Sequence, residues 1–326
     1  MANTILITGA TGFIGFRILL AVLDAGHHVR FTVRSEEKAQ VVFSNPAVQK
    51  LLKSNSSDQL SPVIISDFTV DGAFDTAMQG ATHVIHAGSP VPMPTYNPTT
   101  EIFEPTVRIS ANILAAALKV PTIRRVIITS SIVCNLQLGA SALPNDALPT
   151  TFDDVFSGYT YGKMVELNQS DEFVKKQQPH FTISHVFGRN ELMLDAEMMT
   201  SQNSSNNLLM MGMLGGELPF PIHGGFVHID DLAECHLKVA FLESDGNQKD
   251  FGVATKVNYA SIFDIVQRAF PKATADGVFR RGSVPTMAVA YDSEDVERIL
   301  GKLRDFESAV TDVAGQYLEM LGVEKA

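Results

Sequence analysis

The glycine-rich turn TGATGFIG at residues 8–15 most constrains what this chain can fold into. It follows a short β-branched run, TILIT at 4–8, and leads into an amphipathic stretch. Gly9 suits a tight turn, Gly12 lets the backbone approach a pyrophosphate, and Gly15 lets the following helix pack against the strand. The pyrophosphate would lie on the free N–H groups of that helix, at the positive end of its dipole. The spacing GxxGxxG is weak evidence alone, but between a strand and a helix it predicts a dinucleotide site rather than a purely structural turn.

The first 130 residues alternate short β-branched runs with helical patterns, which is typical of a parallel sheet covered by helices. Strands are predicted at 4–8, 28–33, 63–66, 82–86 and 125–129, and helices at 13–25, 36–52, 72–79 and, after a proline-rich loop at 89–98, up to about residue 118. The sequence therefore predicts an α/β fold with a doubly wound parallel sheet, whose ligands bind beyond the carboxyl ends of the strands.

The character of the sequence changes after about residue 190, where a methionine-rich stretch with a Ser/Asn-rich centre begins. We expect a dinucleotide-binding domain at 1–190 and a mainly substrate-binding domain at 191–326. The stretch 226–242 is predicted to return to the first domain as a strand and then a helix, with Asp231 and Glu234 forming a capping box at the helix start. The methionines fit either a packed core or a mobile lid over an apolar substrate.

The end of the second predicted strand indicates which dinucleotide binds. An NAD site would place Asp or Glu there to bind the ribose 2′-hydroxyl, whereas this chain has VRSEEK, with Arg34, Ser35 and Lys38. A guanidinium and an ammonium can bind a 2′-phosphate, so NADP (NADPH) is the predicted cofactor; the alternative is a solvated, charged helix start. Asp67 and Phe68, which follow the third strand, would flank the adenine, and a plain turn aspartate is the alternative there.

Two tyrosines stand in SGYTYGK at 157–163, and Tyr159 precedes Lys163 by four residues. Residues four apart share a helical face, whereas Tyr161 is rotated by about 200° from Tyr159 and so fits packing better. An unperturbed phenol has a pKa of about 10, and a neighbouring ammonium lowers it, which would make Tyr159 a proton donor to a carbonyl. The predicted fifth strand ends in TSS at 129–131, where a serine hydroxyl could polarise the same carbonyl oxygen.

TGATGFIG, the TSS strand end, the Tyr159–Lys163 pair and FVHIDDLA occur in the order typical of the extended short-chain dehydrogenase/reductase family, which the chain resembles over nearly its whole length. VRFTVRSEEKA, DFTVDGAFDTAMQGATHVIHAGSP and VFGRN are similar to the branch of dihydroflavonol reductases and NADPH-dependent methylglyoxal/isovaleraldehyde reductases. The resemblance implies a Rossmann domain with a smaller C-terminal substrate-binding domain. It also implies Ser131, Tyr159 and Lys163 as the catalytic residues.

By the family's roles, Tyr159 protonates the carbonyl, Lys163 holds the nicotinamide ribose and lowers the tyrosine pKa, and Ser131 binds the substrate oxygen. Cys134 and His185 are candidate substrate contacts; the alternatives are a buried small hydrophobe and a satisfied structural histidine. The implied cofactor-binding residues are Gly9, Thr11, Gly12, Phe13, Ile14, Gly15, Arg34, Ser35, Lys38, Asp67, Phe68, Ala87, Gly88, Ser89 and Lys163.

Composition argues against several classes of partner. The net charge of −11 and the lack of a basic block argue against nucleic acid, and the histidines are too scattered for a metal site, so no metal is expected. Cys134 and Cys235 form no disulfide or zinc pattern, which indicates a reducing compartment, the cytoplasm. The apolar run at 13–23 is interrupted by Arg17 and is too short to span a membrane. A small-molecule carbonyl substrate is the expected partner, and the chain is expected to be a monomer or a homodimer.

Three functions are compatible with the sequence. The first is an NADPH-dependent reductase that transfers hydride to an aldehyde or ketone of a small, hydrophobic substrate, an oxidoreductase of specialised metabolism. The second is a nucleotide-retaining isomerase, epimerase or cyclase of the same fold, suggested by an unusual active-site rim around His185. The third is a non-catalytic NADP-sensing protein, against which the intact Ser–Tyr–Lys set counts.

Overall fold

The computed structural model describes residues 2–54, 57–90, 92–131, 151–187, 206–243 and 250–323. The strands are β1 Thr4–Thr8, β2 His28–Val33, β3 Leu60–Ile64, β4 His83–His86, β5 Arg125–Ser130, β6 Thr182–Phe187, β7 Ile222–His223, β8 Gly225–Phe226, β9 Phe251–Gly252, β10 Thr255–Lys256 and β11 Thr286–Met287. The α-helices are α1 Phe13–Asp24, α2 Glu36–Ser44, α3 Pro46–Ser54, α4 Asp75–Met78, α5 Glu104–Leu118, α6 Val155–Gln177, α7 Asn206–Leu214, α8 Ile229–Phe241, α9 Ile262–Ala269, α10 Pro271–Ala275, α11 Glu294–Leu300 and α12 Phe306–Met320. A π-helix, Pro98–Phe103, directly precedes α5.

The main sheet has the strand order β3-β2-β1-β4-β5-β6-β9, and β1 to β6 pair in parallel. The order reverses between β1 and β4, which is where doubly wound sheets bind their ligands. Thr8 is paired with His86, and His86 with Ile128, so the carboxyl ends of β1, β4 and β5 lie side by side. The predicted doubly wound α/β fold is confirmed.

Helix α1 packs through the face that its periodicity predicts, because Ile18, Leu19 and Val22 are fully buried. A second apolar cluster includes Ile113 of α5 and Val126 of β5 and ties that helix to the sheet. Burial of such side chains contributes about 25 cal/mol per Å² of apolar surface, so these clusters stabilise the packing of the helices on the sheet. Across the described ranges, no helix has the length and hydropathy needed to cross a membrane.

The single helix predicted at 36–52 is wrong: the structure has two helices, α2 and α3, which meet at Asn45. Pro46 is the cause, because its ring disfavours helical backbone at the preceding residue. Asn45 is extended, with φ −64° and ψ 128°, and its side chain accepts a hydrogen bond from Ala47 N at 2.9 Å. The Asn-Pro pair therefore ends one helix and starts the next, since proline suits the first position of a helix.

Strand β3 begins three residues before its predicted start at 63 and contains Pro62. The predicted strand did not include this proline, which cannot donate a ladder hydrogen bond. β3 lies at the edge of the sheet, beside β2, and an edge strand tolerates a proline where a central strand does not.

The strand expected at 226 does not return to the main sheet: β8 pairs antiparallel with β10 in a separate two-stranded sheet. The predicted capping box is also wrong, because α8 begins at Ile229, two residues before Asp231. The Asp231 carboxylate instead accepts a hydrogen bond from Arg304 N at 2.7 Å and pairs with the guanidinium of the same residue. The aspartate thus ties the first turn of α8 to the segment that precedes α12.

The chain divides into two compact units, Met1–Phe187 with Ala233–Phe251, and Gly188–Leu232 with Gly252–Ala326. The first unit contains β1 to β6 and the glycine-rich turn. The second unit has its own apolar core, to which α7, α9 and α12 contribute.

The methionine-rich stretch contributes to the core of the second unit where it is described. Met210 and Met213 of α7 are buried in that core, which favours the packing interpretation for these two residues. The rest of the predicted lid, 193–205, lies outside the described residues.

His83, at the start of β4, should make stability depend on pH. Its ring is buried against Phe241, and burial, followed by the charges of Arg124 and Arg125, lowers the pKa of His83 to about 4. Between pH 4 and 6.5 the unfolded chain binds a proton that the folded chain does not, so stability falls as pH falls through this window.

We expect His83→Gln to reduce the slope of unfolding free energy against pH, between pH 4.5 and 6, by up to about 1.4 kcal/mol per pH unit. Urea unfolding of both proteins at several pH values measures these slopes. Equal slopes would contradict the prediction.

Candidate active site

The glycine-rich turn is crowded by backbone rather than by side chains. Gly9 has φ +75°, and a Cβ placed there would lie 2.8 Å from the carbonyl oxygen of Ala87. A Cβ at Gly15 would lie 2.2 Å from the carbonyl oxygen of Gly9. Both contacts are closer than real Cβ atoms approach, so Gly9 and Gly15 let the end of β1, the loop after β4 and the start of α1 come together.

The first turn of α1 is suited to an anion. Gly12 precedes the helix, no side chain caps its N-terminus, and its first turn contains no acidic residue. Thr11 and Gly12 are exposed to solvent. Uncapped N–H groups at the positive end of a helix dipole favour a phosphate group, so these residues fit the pyrophosphate of a dinucleotide.

Two exposed cations follow the end of β2. Arg34 and Lys38 are both solvent-exposed, and the Arg34 guanidinium lies 5.8 Å from the ring centroid of Phe68. Ser35 caps α2 by accepting a weak hydrogen bond from Lys38 N at 3.4 Å. The neighbouring acids, Glu36 and Glu37, occupy the first turn of that helix, where the dipole favours them. The arrangement leaves two cations available for a phosphate group.

The loop after β3 is held in place by hydrogen bonds. Asp67 accepts bonds from both the backbone N and the hydroxyl of Thr69, at 2.8 and 2.7 Å, and these bonds lower the pKa of Asp67. The side chain of Asn112 on α5 donates to the carbonyl oxygen of Phe68 at 3.1 Å. Phe68 is therefore anchored beside Arg34, within reach of a planar group bound at this edge.

Helix α6 lies unusually close to its neighbours because of two glycines four residues apart. A Cβ at Gly158 would lie 2.4 Å from the carbonyl oxygen of Pro98, and one at Gly162 would lie 3.3 Å from Thr106. Asp154 starts the helix by accepting hydrogen bonds from two backbone N–H groups. Tyr161 packs against Phe152 with ring centroids 5.5 Å apart, in agreement with its predicted packing role.

Lys163 is anchored at the carboxyl end of β5. The side chain is buried, and its Nζ donates to the carbonyl oxygen of Thr129 at 2.9 Å. Ser131, also buried, follows Thr129 by two residues, and half-buried Tyr159 precedes Lys163 by one helical turn. The structure therefore brings Lys163 to the same strand end as the predicted serine, and it carries Tyr159 on the same helix.

A buried polar chain beneath this edge was not predicted from the sequence. It consists of Thr8, His86, Glu166, Lys163 and Thr129. Lys163 Nζ donates to Glu166 Oε2 at 2.8 Å, and His86 Nδ1 lies 2.6 Å from the hydroxyl of Thr8. Burial, followed by the charge of Lys163, lowers the pKa of His86 to about 3, so its ring is neutral at physiological pH. The spacing Lys163-x-x-Glu166 was the available sequence signal, because residues three apart share a helical face.

The remaining predicted site residues follow β4, belong to β6 or lie outside the described residues. Ala87, Gly88 and Ser89 follow β4 and are half-buried, with Gly88 close to Gly9. His185 belongs to β6, where its backbone pairs with Ile128. Cys134 lies outside the described residues. Among the residues that are described, no group of three or more His, Cys, Asp or Glu is arranged to hold a metal ion.

A model of the NAD dependent epimerase/dehydratase family matches residues 5–254 of this chain. The match covers the glycine-rich turn, the strand end at Ser131 and the Tyr159–Lys163 pair. The chain therefore belongs to this family, and its predicted place among the extended short-chain dehydrogenases/reductases, which are enzymes, is confirmed.

Individual relatives are similar over almost the whole chain. The "Ketoreductase CTB6" of Cercospora nicotianae is 34% identical, with 98% of this chain and 96% of the relative covered. The "NAD-dependent epimerase/dehydratase ALT6" of Alternaria alternata is 31% identical, with 98% of each chain covered. The crystal structure of Gre2 from Candida albicans in complex with NADPH superposes with a TM-score of 0.77 at 22% identity, covering 98% of this chain and 99% of that one. The last comparison supports the fold.

Crowding at Gly9 can be separated from its positive φ by a matched substitution. Gly26 has a similar φ of +79°, but a Cβ there would meet nothing within 4 Å. We expect Gly26→Ala to cost about 1–2 kcal/mol of stability, from backbone strain alone. Gly9→Ala should cost roughly 1–3 kcal/mol more, because its Cβ also meets the Ala87 carbonyl. Urea unfolding of the two variants measures the difference, and equal losses would contradict the crowding.

Proposed function

We propose that this protein is an NADPH-dependent reductase, which converts the carbonyl group of a small, hydrophobic aldehyde or ketone to an alcohol. The observation that carries the proposal is the position of Lys163, a buried ammonium held at the end of β5 by the Thr129 carbonyl. It stands one helical turn after Tyr159 and at the strand end that leads into Ser131. The ketoreductase name of the relative from Cercospora nicotianae supports the same class of reaction.

NADPH supplies the hydride when bound. Its pyrophosphate would lie on Gly12 and the uncapped first turn of α1. Arg34 and Lys38 would bind the 2′-phosphate, and they are exposed at the strand end where an NAD site has an acid. Asp67 and Phe68 would lie beside the adenine.

The chain's own groups supply the proton and the polarisation. The phenol of Tyr159 would donate its proton to the carbonyl oxygen as that oxygen gains negative charge. The hydroxyl of Ser131 would donate a hydrogen bond to the same oxygen and hold it in place. The ammonium of Lys163 favours the phenolate form, which makes proton loss from Tyr159 easier.

The role of Tyr159 is tested by following the absorbance of NADPH with a panel of small aldehydes, aromatic ketones and a dihydroflavonol. We expect the wild type to consume NADPH and Tyr159→Phe to lose at least about 100-fold in kcat, the lower range for a general acid. Tyr161→Phe keeps the ring that packs on Phe152 and should retain most of the activity. Unchanged turnover in Tyr159→Phe would refute the mechanism.

The same panel separates the reductase from an epimerase or dehydratase, which the name of the relative from Alternaria alternata suggests. Such an enzyme would retain its dinucleotide after purification and would not consume it. Cofactor that exchanges readily and is consumed supports the reductase.

The preference for NADPH over NADH should depend on Arg34. We expect Arg34→Gln to raise KM for NADPH by about 10-fold or more, as expected for a charge-assisted bond of 1.5–3 kcal/mol, and to leave KM for NADH nearly unchanged. Lys119→Gln removes another exposed cation of the first unit, which pairs with Asp75, and should change neither value. An equal rise for both dinucleotides in Arg34→Gln would contradict the 2′-phosphate assignment.

A further inference from the structure

Two buried titratable residues, Glu166 and His86, have no role in the reductase chemistry. Glu166 is 1% exposed and follows Lys163, which is 2% exposed, by three residues on one face of α6. Its Oε2 accepts a hydrogen bond from Lys163 Nζ at 2.8 Å. Both members of this ion pair are therefore removed from water.

The burial of Lys163 and Glu166 determines how the charge of one affects the protonation of the other. An ammonium without water around it favours its neutral form unless a negative charge lies close by. The Thr129 carbonyl gives Lys163 a dipole but no charge, and Glu166 supplies the negative charge at hydrogen-bond distance. His86 cannot oppose or replace that charge, since its ring is neutral.

The second carboxylate oxygen faces His86. Glu166 Oε1 lies 3.8 Å from His86 Nε2, and within the described ranges neither atom has a hydrogen-bond partner. His86 Nδ1 is occupied by the hydroxyl of Thr8 at 2.6 Å. If that hydroxyl donates to Nδ1, the proton of the neutral ring is on Nε2 and points toward the carboxylate. The separation of 3.8 Å is too long for a hydrogen bond, so the hydrogen bond from Lys163 to Oε2 is the contact that orients the carboxylate.

We propose that Glu166 is a positioning residue: it keeps Lys163 protonated and directed at the end of β5. The kinetic consequence rests on the proposed reductase function. The electrostatic part concerns the folded chain alone, so it can be tested whether or not that function is correct.

The electrostatic part is tested by urea unfolding without cofactor. In Glu166→Gln the Lys163 ammonium is buried without the Glu166 carboxylate, so the folded state resists protonation while the unfolded lysine, with a pKa of about 10.4, binds a proton freely. The loss of stability relative to wild type should therefore be largest near pH 6 and shrink as the pH is raised to 9. Adding Lys163→Met to Glu166→Gln removes the buried charge and should abolish that pH dependence.

A matched control lies on the same helix. Glu172 pairs with Lys176 at 2.8 Å, but both side chains are exposed, so Glu172→Gln should change stability little at any pH. If Glu166 acted only by packing, its loss would be independent of pH and would persist in the double variant. That result would overturn the proposal.

The kinetic part is tested with the pH profile of kcat/KM for NADPH-dependent carbonyl reduction. We expect the alkaline limb of Glu166→Gln to move at least one pH unit lower, because Lys163 loses its proton earlier. Glu166→Asp, which keeps the charge on a shorter side chain, should recover part of the shift. An unshifted limb in an active Glu166→Gln enzyme would overturn the proposal. Lack of turnover in the wild type would refute the reductase function and leave the unfolding test to decide on Glu166.

Discussion

Backbone crowding at the first βα turn is the constraint on which the rest of the site depends. Gly15 lies so close to the carbonyl of Gly9 that no side chain fits between them, and Gly9 is in similar contact with the loop after β4. Because the ends of β1, β4 and β5 are in register, this turn, that loop and α6 converge on one edge of the sheet. Gly12, which precedes α1, has no side chain to cap the helix, so the first N–H groups of α1 remain available to a phosphate. The proposed anion site thus consists of backbone N–H groups and requires no dedicated side chain.

The same edge of the sheet also contains a buried ion pair. Lys163 and Glu166 are both buried, and such a pair is weak evidence for stability, because the desolvation of two ions opposes their attraction. Removing one partner of a buried pair costs about 3–5 kcal/mol, whereas replacing both with apolar residues is often neutral. The neighbouring His86, kept neutral by burial, contributes polarity without a third charge, and Thr8 links the group back to the glycine-rich turn.

Local patterns in the sequence predicted most of the fold and part of the site. Glycine spacing, β-branched runs and apolar periodicity identified five of the parallel strands, because these features are set within a few residues of chain; of the helices between them, the one predicted at 36–52 is divided in two at Pro46. The prediction failed at Pro62, which an edge strand accommodates, and at Asp231, whose partner Arg304 is distant in sequence. Glu166 was missed for the same reason: its burial depends on how closely α6 approaches β4 and β5, and no motif encodes that distance.

The exposed and the buried positive charges at this edge differ in how strongly salt screens them. Arg34 and Lys38 stand in solvent, where salt screens them over about 8–10 Å, so their attraction for a phosphate depends on ionic strength and acts on binding. Lys163 is shielded from solvent, so its field on neighbouring groups is little affected by salt and persists at every stage of a reaction. In the proposed reductase, cofactor choice and proton transfer are therefore separable properties. In that reductase, substitution at the end of β2 would change which dinucleotide binds without altering the buried charge, whereas a change at Glu166 would alter that charge and leave the outer cations intact.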